Sequence, residues 1–191
     1  DAMTVTPALG LPFPGSPDQL MANFRTIYES RGYDDYVKIM HQDFLTILQE
    51  STTEEFPDVG PTLDFAEESH IHERRFSGDM VIDPDGMLVP RVHDITFQVF
   101  QPQDAWIVSP PDGPFPGAMW APYEVVCLVD RGQSFSTRKI QGMIKFYVTS
   151  RDSLHGGIPM QYYQMIGQED LTDSFEANEL LVWNSFKAQY R

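Results

Sequence analysis

The chain has 191 residues, with 28 Asp and Glu against 13 Lys and Arg, for a formal net charge of −15. A surface this acidic repels phosphate backbones and anionic headgroups, which argues against nucleic acid and anionic membranes as partners. Hydrophobic residues make up 41% and aromatics 13% of the chain, the composition of a folded domain and not of a disordered one.

This length suits a single domain burying about 70% of the surface its unfolded chain would expose. No run of eighteen apolar residues occurs, so no membrane span is expected. Cys127 is the single cysteine, which excludes an internal disulfide. It lies in the apolar run Val125-Val126-Cys127-Leu128-Val129 and reads as a small core residue. The sequence leaves a cytoplasmic and an exported placement both open.

Residues 1–15 carry Pro7, Pro12 and Pro14 without a period and read as an extended tail before one domain over 16–191. Ser16, Pro17 and Gln19 form the start signal of a helix. Leu20, Phe24, Ile27 and Tyr28 give it an apolar stripe, and Gly32 is the expected stop. A second helix, capped by Asp34, groups Tyr36, Val37, Met40 and Phe44, and passes into a short strand over 44–48. Residues 51–63 read as a loop.

Asp64 and Glu67 form a second capping box, opening a helix with Phe65, Ser69, His72 and Phe76 on one stripe and Gly78 at its end. Asp83-Pro84-Asp85-Gly86 is a turn. From there the period becomes two. His93, Ile95, Phe97 and Val99 alternate with polar residues, a strand follows over 123–130, and Ile140 to Val148 and roughly 160–167 give two more. The Pro- and Gly-rich stretch 109–117, with Trp106, Phe115, Met119 and Trp120 around it, reads equally as an interface or lid and as a satellite cluster folded back on the sheet. The tail from Glu179 to Tyr190, with Leu180, Trp183, Phe186 and Lys187, suits a short amphipathic helix. Helices first and a strand meander after them predict an α+β fold with an antiparallel sheet whose apolar face the helices cover.

The chemistry-bearing residues are few. No dinucleotide fingerprint or phosphate-binding Gly-Lys loop is present, so no cofactor is expected. His70 and His72 stand two apart, which on a helix turns them about 200° away from each other, so they do not share an ion and no metal is expected. His72 shares the stripe of Phe65 and Phe76. It reads first as a hydrogen-bonded core histidine and second as a pocket residue. His93, placed by its alternation among aliphatics, needs a partner that a water, a carboxylate or a ligand can supply. Tyr28 offers a phenolic donor on the inner stripe of the first helix.

The order of elements resembles the nuclear transport factor 2-like (SnoaL-like) superfamily. The matching stretches are Pro17-Asp18-Gln19-Leu20 with Tyr28, Tyr33-Asp34-Asp35-Tyr36, His41-Gln42-Asp43-Phe44 and Arg74-Arg75-Phe76-Ser77-Gly78, followed by the later strands. The resemblance covers roughly residues 16–170 and part of the tail, and implies a curved sheet wrapped around helices with a cavity at its open end. It also implies a homodimer through the sheet. Superfamily members include isomerases, dehydratases, cyclases and non-catalytic binding modules, and a shared fold does not transfer a reaction.

Three functional expectations follow. The first is binding of a small apolar or amphipathic molecule in a cavity bounded by Tyr28, His72 and His93. The second is a cofactor-free isomerase, dehydratase or cyclase using His72, or Asp43 by its comparable position in the superfamily, as general base. The third is a protein-interaction module acting through the sheet or the Pro-rich loop.

Overall fold

A computed structural model of the chain describes residues 10–83, 85–171 and 183–191. Most of the expected N-terminal tail, Pro84 and the segment 172–182, with the start of the expected C-terminal helix, lie outside the described residues. Helix α1 spans Pro17–Ser30, and Ser16 caps it by accepting from the Gln19 N–H at 3.1 Å. The Gln19 side chain does not turn back to complete the box; it donates to Asn23 Oδ1 at 3.0 Å. The helix ends before Gly32, at Arg31, which takes a left-handed φ of 56°. A non-glycine residue rarely holds that conformation. Here Arg31 is tied down by its guanidinium, which donates to the Val92 carbonyl at 2.9 Å.

Helix α2 spans Tyr33–Ile39 and starts from Gly32 without a side-chain cap. Asp34 therefore lies in the first turn, where its charge suits the helix dipole. Strand β1, Met40–Ile47, begins earlier than the sequence suggested. The presumed loop 51–63 contains most of helix α3, Glu50–Glu55, and the start of strand β2, Thr62–Asp64. Strand β2 exists because it pairs antiparallel with β1, a contact no local pattern announces.

Helix α4 spans Phe65–Phe76, and both halves of its capping box form. Asp64 Oδ1 accepts from the Ala66 and Glu67 N–H groups at 2.9 and 3.0 Å, while Glu67 Oε2 accepts from the Asp64 N–H at 2.9 Å. Strands β3, Val81–Ile82, and β4, Leu88–Val89, form a hairpin. Its turn is held by Asp83 Oδ1, which accepts from the Asp85 and Met87 N–H groups.

The remaining elements are β5 (Asp94–Pro102), β6 (Ile107–Val108), β7 (Met119–Asp130), β8 (Arg138–His155), β9 (Ile158–Asp170) and helix α5 (Trp183–Ala188). Among the described residues seven strands form one sheet in the order β2-β1-β9-β8-β7-β5, with β6 beside β7. The sheet is mixed, which corrects the antiparallel expectation. Strand β1 lies parallel to β9, while the other pairs are antiparallel. A parallel pair needs a long connection, and here residues 48–157 intervene between its partners.

One face of the sheet carries the main core, where Phe44, Phe97, Ile144, Phe146 and Met165 meet Leu20, Phe24, Tyr28, Tyr36 and Ile71 of the helices. A register shift between Phe97 and Val99 changes the phase of β5. Phe100 consequently faces inward too, stacking on Phe24 with centroids 5.5 Å apart. The other face holds a smaller cluster of Phe115, Ala118 and Tyr147, bordered by Leu45, Ile47, Trp120 and Ile166.

The Pro-rich loop therefore folds back as a satellite cluster, and the Phe115 ring packs at a tilt on Tyr147 with centroids 4.6 Å apart. Gly167 makes this possible, because a Cβ there would come within 2.1 Å of the Phe115 ring. Gly167→Ala is expected to destabilise the fold by about 1–3 kcal/mol through overpacking. In a Phe115→Ala background the same change is expected to cost much less. Urea unfolding of the four variants of this cycle measures the coupling, and equal costs in both backgrounds contradict the packing account.

Candidate functional site

On helix α4 the inward stripe is Glu68, Ile71, His72, Arg75 and Phe76, at i, i+3, i+4, i+7 and i+8. Glu68, His72 and Arg75 are each 0% exposed, as is Lys187 from α5. A charged group is almost never buried without a partner, and three of the four have one.

The Glu68 carboxylate accepts from four side chains on four other elements. Tyr36 of α2 donates to Oε1 at 2.9 Å and Thr46 of β1 to Oε2 at 3.0 Å. Gln168 of β9 reaches Oε1 at 3.5 Å and also donates to Thr46 Oγ1 at 3.1 Å. The Lys187 ammonium of α5 forms a close ion pair with Oε1. Burial pulls the Lys187 amine below its ordinary pKa, and the attraction of Glu68 opposes that shift.

His72 has both ring nitrogens engaged. Nδ1 lies 2.9 Å from the Glu68 backbone carbonyl, which can only accept, so Nδ1 carries the proton. Burial, and then the charges of Lys187 and Arg75, hold the ring well below its ordinary pKa, hence neutral. Nε2 is then an acceptor, and Tyr28 Oη donates to it at 2.5 Å. Burial raises the Tyr28 phenol, so this donor keeps its proton. Tyr36 stacks on the His72 ring at 3.9 Å, and Phe76 meets it edge-on at 5.0 Å.

Arg75 differs from the other three. Its Nε, Nη1 and Nη2 are buried and have no hydrogen-bond acceptor among the described residues. Three rings surround the guanidinium instead: Phe186 at 4.3 Å, Tyr28 at 5.3 Å and Trp183 at 5.4 Å.

Helix α5 closes this interior. Trp183, Phe186, Lys187 and Tyr190 are each at most 1% exposed. Trp183 stacks on Tyr28 at 5.2 Å. The segment is fastened by Lys187 on Glu68, by Ser185 with Thr52 at 3.3 Å, and by Tyr190 Oη donating to the Pro90 carbonyl at 2.8 Å.

Of the sequence candidates, Tyr28 and His72 thus come together, bonded to each other. His93 does not join them. It precedes β5, so the strand alternation does not apply to it; its side chain is 63% exposed, 3.5 Å from Asp130 Oδ2. There it lines an open surface hollow with Arg91, Asp130 and Phe135. Asp43 is exposed as well. It falls where the pairing of β1 with β9 is irregular between Met40 and Leu45, and its carboxylate lies 3.6 Å from His41 on the surface. His70 points outward beside Glu73, opposite to His72. Among the described residues no three His, Cys, Asp or Glu side chains are gathered to hold a metal ion.

Glu68, Arg75 and Lys187 were missed. Their signal was present, since charged residues stood on apolar stripes: Glu68 and Arg75 flank His72 in helical spacing, and Lys187 lies four residues after Trp183. No described helix is long and apolar enough to cross a membrane. No family model matches the chain, and comparisons with curated proteins and with solved structures give no match.

Removing one partner of a buried ion pair strands the other charge, at a cost of about 3–5 kcal/mol. Lys187→Met is expected to lower stability by about that much, and adding Glu68→Leu to recover a large part. Denaturant midpoints of the single and double variants check this. The lowered pKa of His72 has its own consequence. The unfolded ring takes up a proton below about pH 6.5 while the folded ring does not, so stability is full above that pH and falls as pH drops through the window beneath it. The slope is about 1.4 kcal/mol per pH unit for one proton. Unfolding at pH 7, 6 and 5 is expected to show a steeper loss for the natural chain than for His72→Gln.

Proposed function

We propose that the chain is a cofactor-free binding domain of the nuclear transport factor 2-like kind, taking one small apolar or amphipathic molecule into the aromatic interior beneath α5. The strand order, with helices α1, α2 and α4 on one face, supports the resemblance read from the sequence. One observation carries the reading. An interior that combines rings with buried polar groups is covered on one side by α5 and the residues that follow it. The six described residues of α5 are held by tertiary contacts and not by helix propensity alone. The helix stays because Lys187, Ser185 and Tyr190 are anchored, and it can lift as a unit to admit a ligand.

The acid–base alternative has less support. His72 has both nitrogens occupied, and Asp43 faces solvent away from the interior. The interaction reading, including the dimer through the sheet, draws support from the partly exposed Leu45, Ile47, Trp120 and Ile166 on the outer face, and from Met80, Ile82, Met87 and Leu88 exposed on the β3–β4 hairpin.

A neutral apolar dye, N-phenyl-1-naphthylamine, tests the binding reading. Saturable binding at one dye per chain is expected. Lys187→Met, which weakens closure of α5, is expected to raise the association rate by about tenfold or more, because the open population grows. Absence of saturable binding, or an association rate that Lys187→Met leaves unchanged, refutes the reading.

A further inference from the structure

The interior is rich in unmatched donors. Arg75 presents five N–H groups and no acceptor of its own. It is fully buried, and none of its nitrogens meets an acceptor among the described residues. The rings of Phe186, Tyr28 and Trp183 attract its charge, but they accept none of the hydrogen bonds in the guanidinium plane. Trp183, whose ring lies 5.4 Å from Arg75 Cζ, has the same deficit: its buried Nε1–H also lacks an acceptor. Two neighbouring side chains, one on α4 and one on α5, therefore both lack an acceptor among the described residues.

The surrounding groups do not supply one. The Glu68 carboxylate is engaged by Lys187, Tyr36, Thr46 and Gln168. The Tyr28 hydroxyl and both His72 nitrogens are bonded to each other or to the Glu68 carbonyl. Lys187 adds a second positive charge, and the field of the buried Asp170 falls on Lys187. Lys187 and Arg75 also act together on His72, each favouring its neutral form.

Resting on the binding reading above, we infer that the ligand carries an anionic group, a carboxylate, held by the Arg75 guanidinium with the Trp183 N–H beside it, and that its apolar part lies among the rings. A carboxylate matches the planar fork of an arginine in two parallel hydrogen bonds. Because the two donors sit on α4 and on α5, the anion also bridges the closing helix to the wall it closes against. A ligand of this class fastens α5 as it binds.

Octanoate and octanol, of equal chain length, separate this inference from the reading beneath it. Isothermal titration of the full chain is expected to show octanoate binding about tenfold or more tighter than octanol, the margin of a charge-assisted hydrogen bond. Arg75→Met is expected to abolish that preference while octanol binding persists. In the ligand-free state Arg75→Met should be at least as thermally stable as the natural chain, since it removes an unmatched buried charge.

Equal affinity for octanoate and octanol overturns the anion site and leaves the binding reading standing. Binding of neither overturns both. A clear fall in thermal stability on Arg75→Met also overturns the inference, because Arg75 is then a structural cation with a partner of its own. If Arg75→Met does not fold, Arg75→Lys serves: it keeps the charge but loses the planar fork, and an undiminished preference for octanoate contradicts the proposed geometry.

Discussion

The Glu68 carboxylate is the point on which the interior depends. It sits on α4 and receives hydrogen bonds from α2, β1, β9 and α5. Each donor comes from a different stretch of chain, so the contact forms only when all five elements are in place. An ionised carboxylate without such partners would be very costly to bury. The arrangement therefore selects one packing of the helices against the sheet, and it does so with hydrogen-bond geometry that apolar contacts alone do not impose.

Around that centre the aromatic residues supply the apolar surface that drives burial. Phe24, Tyr28, Tyr36, Phe97 and Phe146 meet in tilted and edge-on contacts, leaving the polar atoms of Tyr28 and Tyr36 to point at His72 and Glu68. Helix α5 belongs to this network more than to its own sequence. Its described residues are held against the interior by the pair made with Glu68 and by the stacking of Trp183 on Tyr28. Arg75 projects from α4 toward the rings of α5 as the buried charge for which the described residues supply no hydrogen-bond acceptor.

Much of the fold was legible. The capping box of Asp64 and Glu67, the Ser16 start, the Asp83 turn and the alternation through β8 are local signals, each set by a hydrogen bond or a side-chain direction within a few residues. His72 was legible as a core histidine because it stood on an apolar stripe, and its neighbours Tyr28 and Phe76 were placed with it. His93 was misplaced because the alternation was extended back beyond the start of β5 at Asp94, outside the strand. The helix α3 and the strand β2 were hidden in a polar stretch, since β2 is defined by its pairing with β1 and not by its own residues.

The sequence alone determined the acidic surface, the α+β order of elements, the capped starts of α1 and α4, and the placing of Tyr28 and His72 on inward stripes. These follow from periodicity and from short-range hydrogen bonds. Only the tertiary structure decided that β1 runs parallel to β9, that Phe115 packs over Gly167, and that Glu68 and Lys187, well over a hundred residues apart, form a buried pair. Those contacts join segments with no local relationship. A charged side chain reads as solvent-facing until a partner from elsewhere in the chain is brought to it.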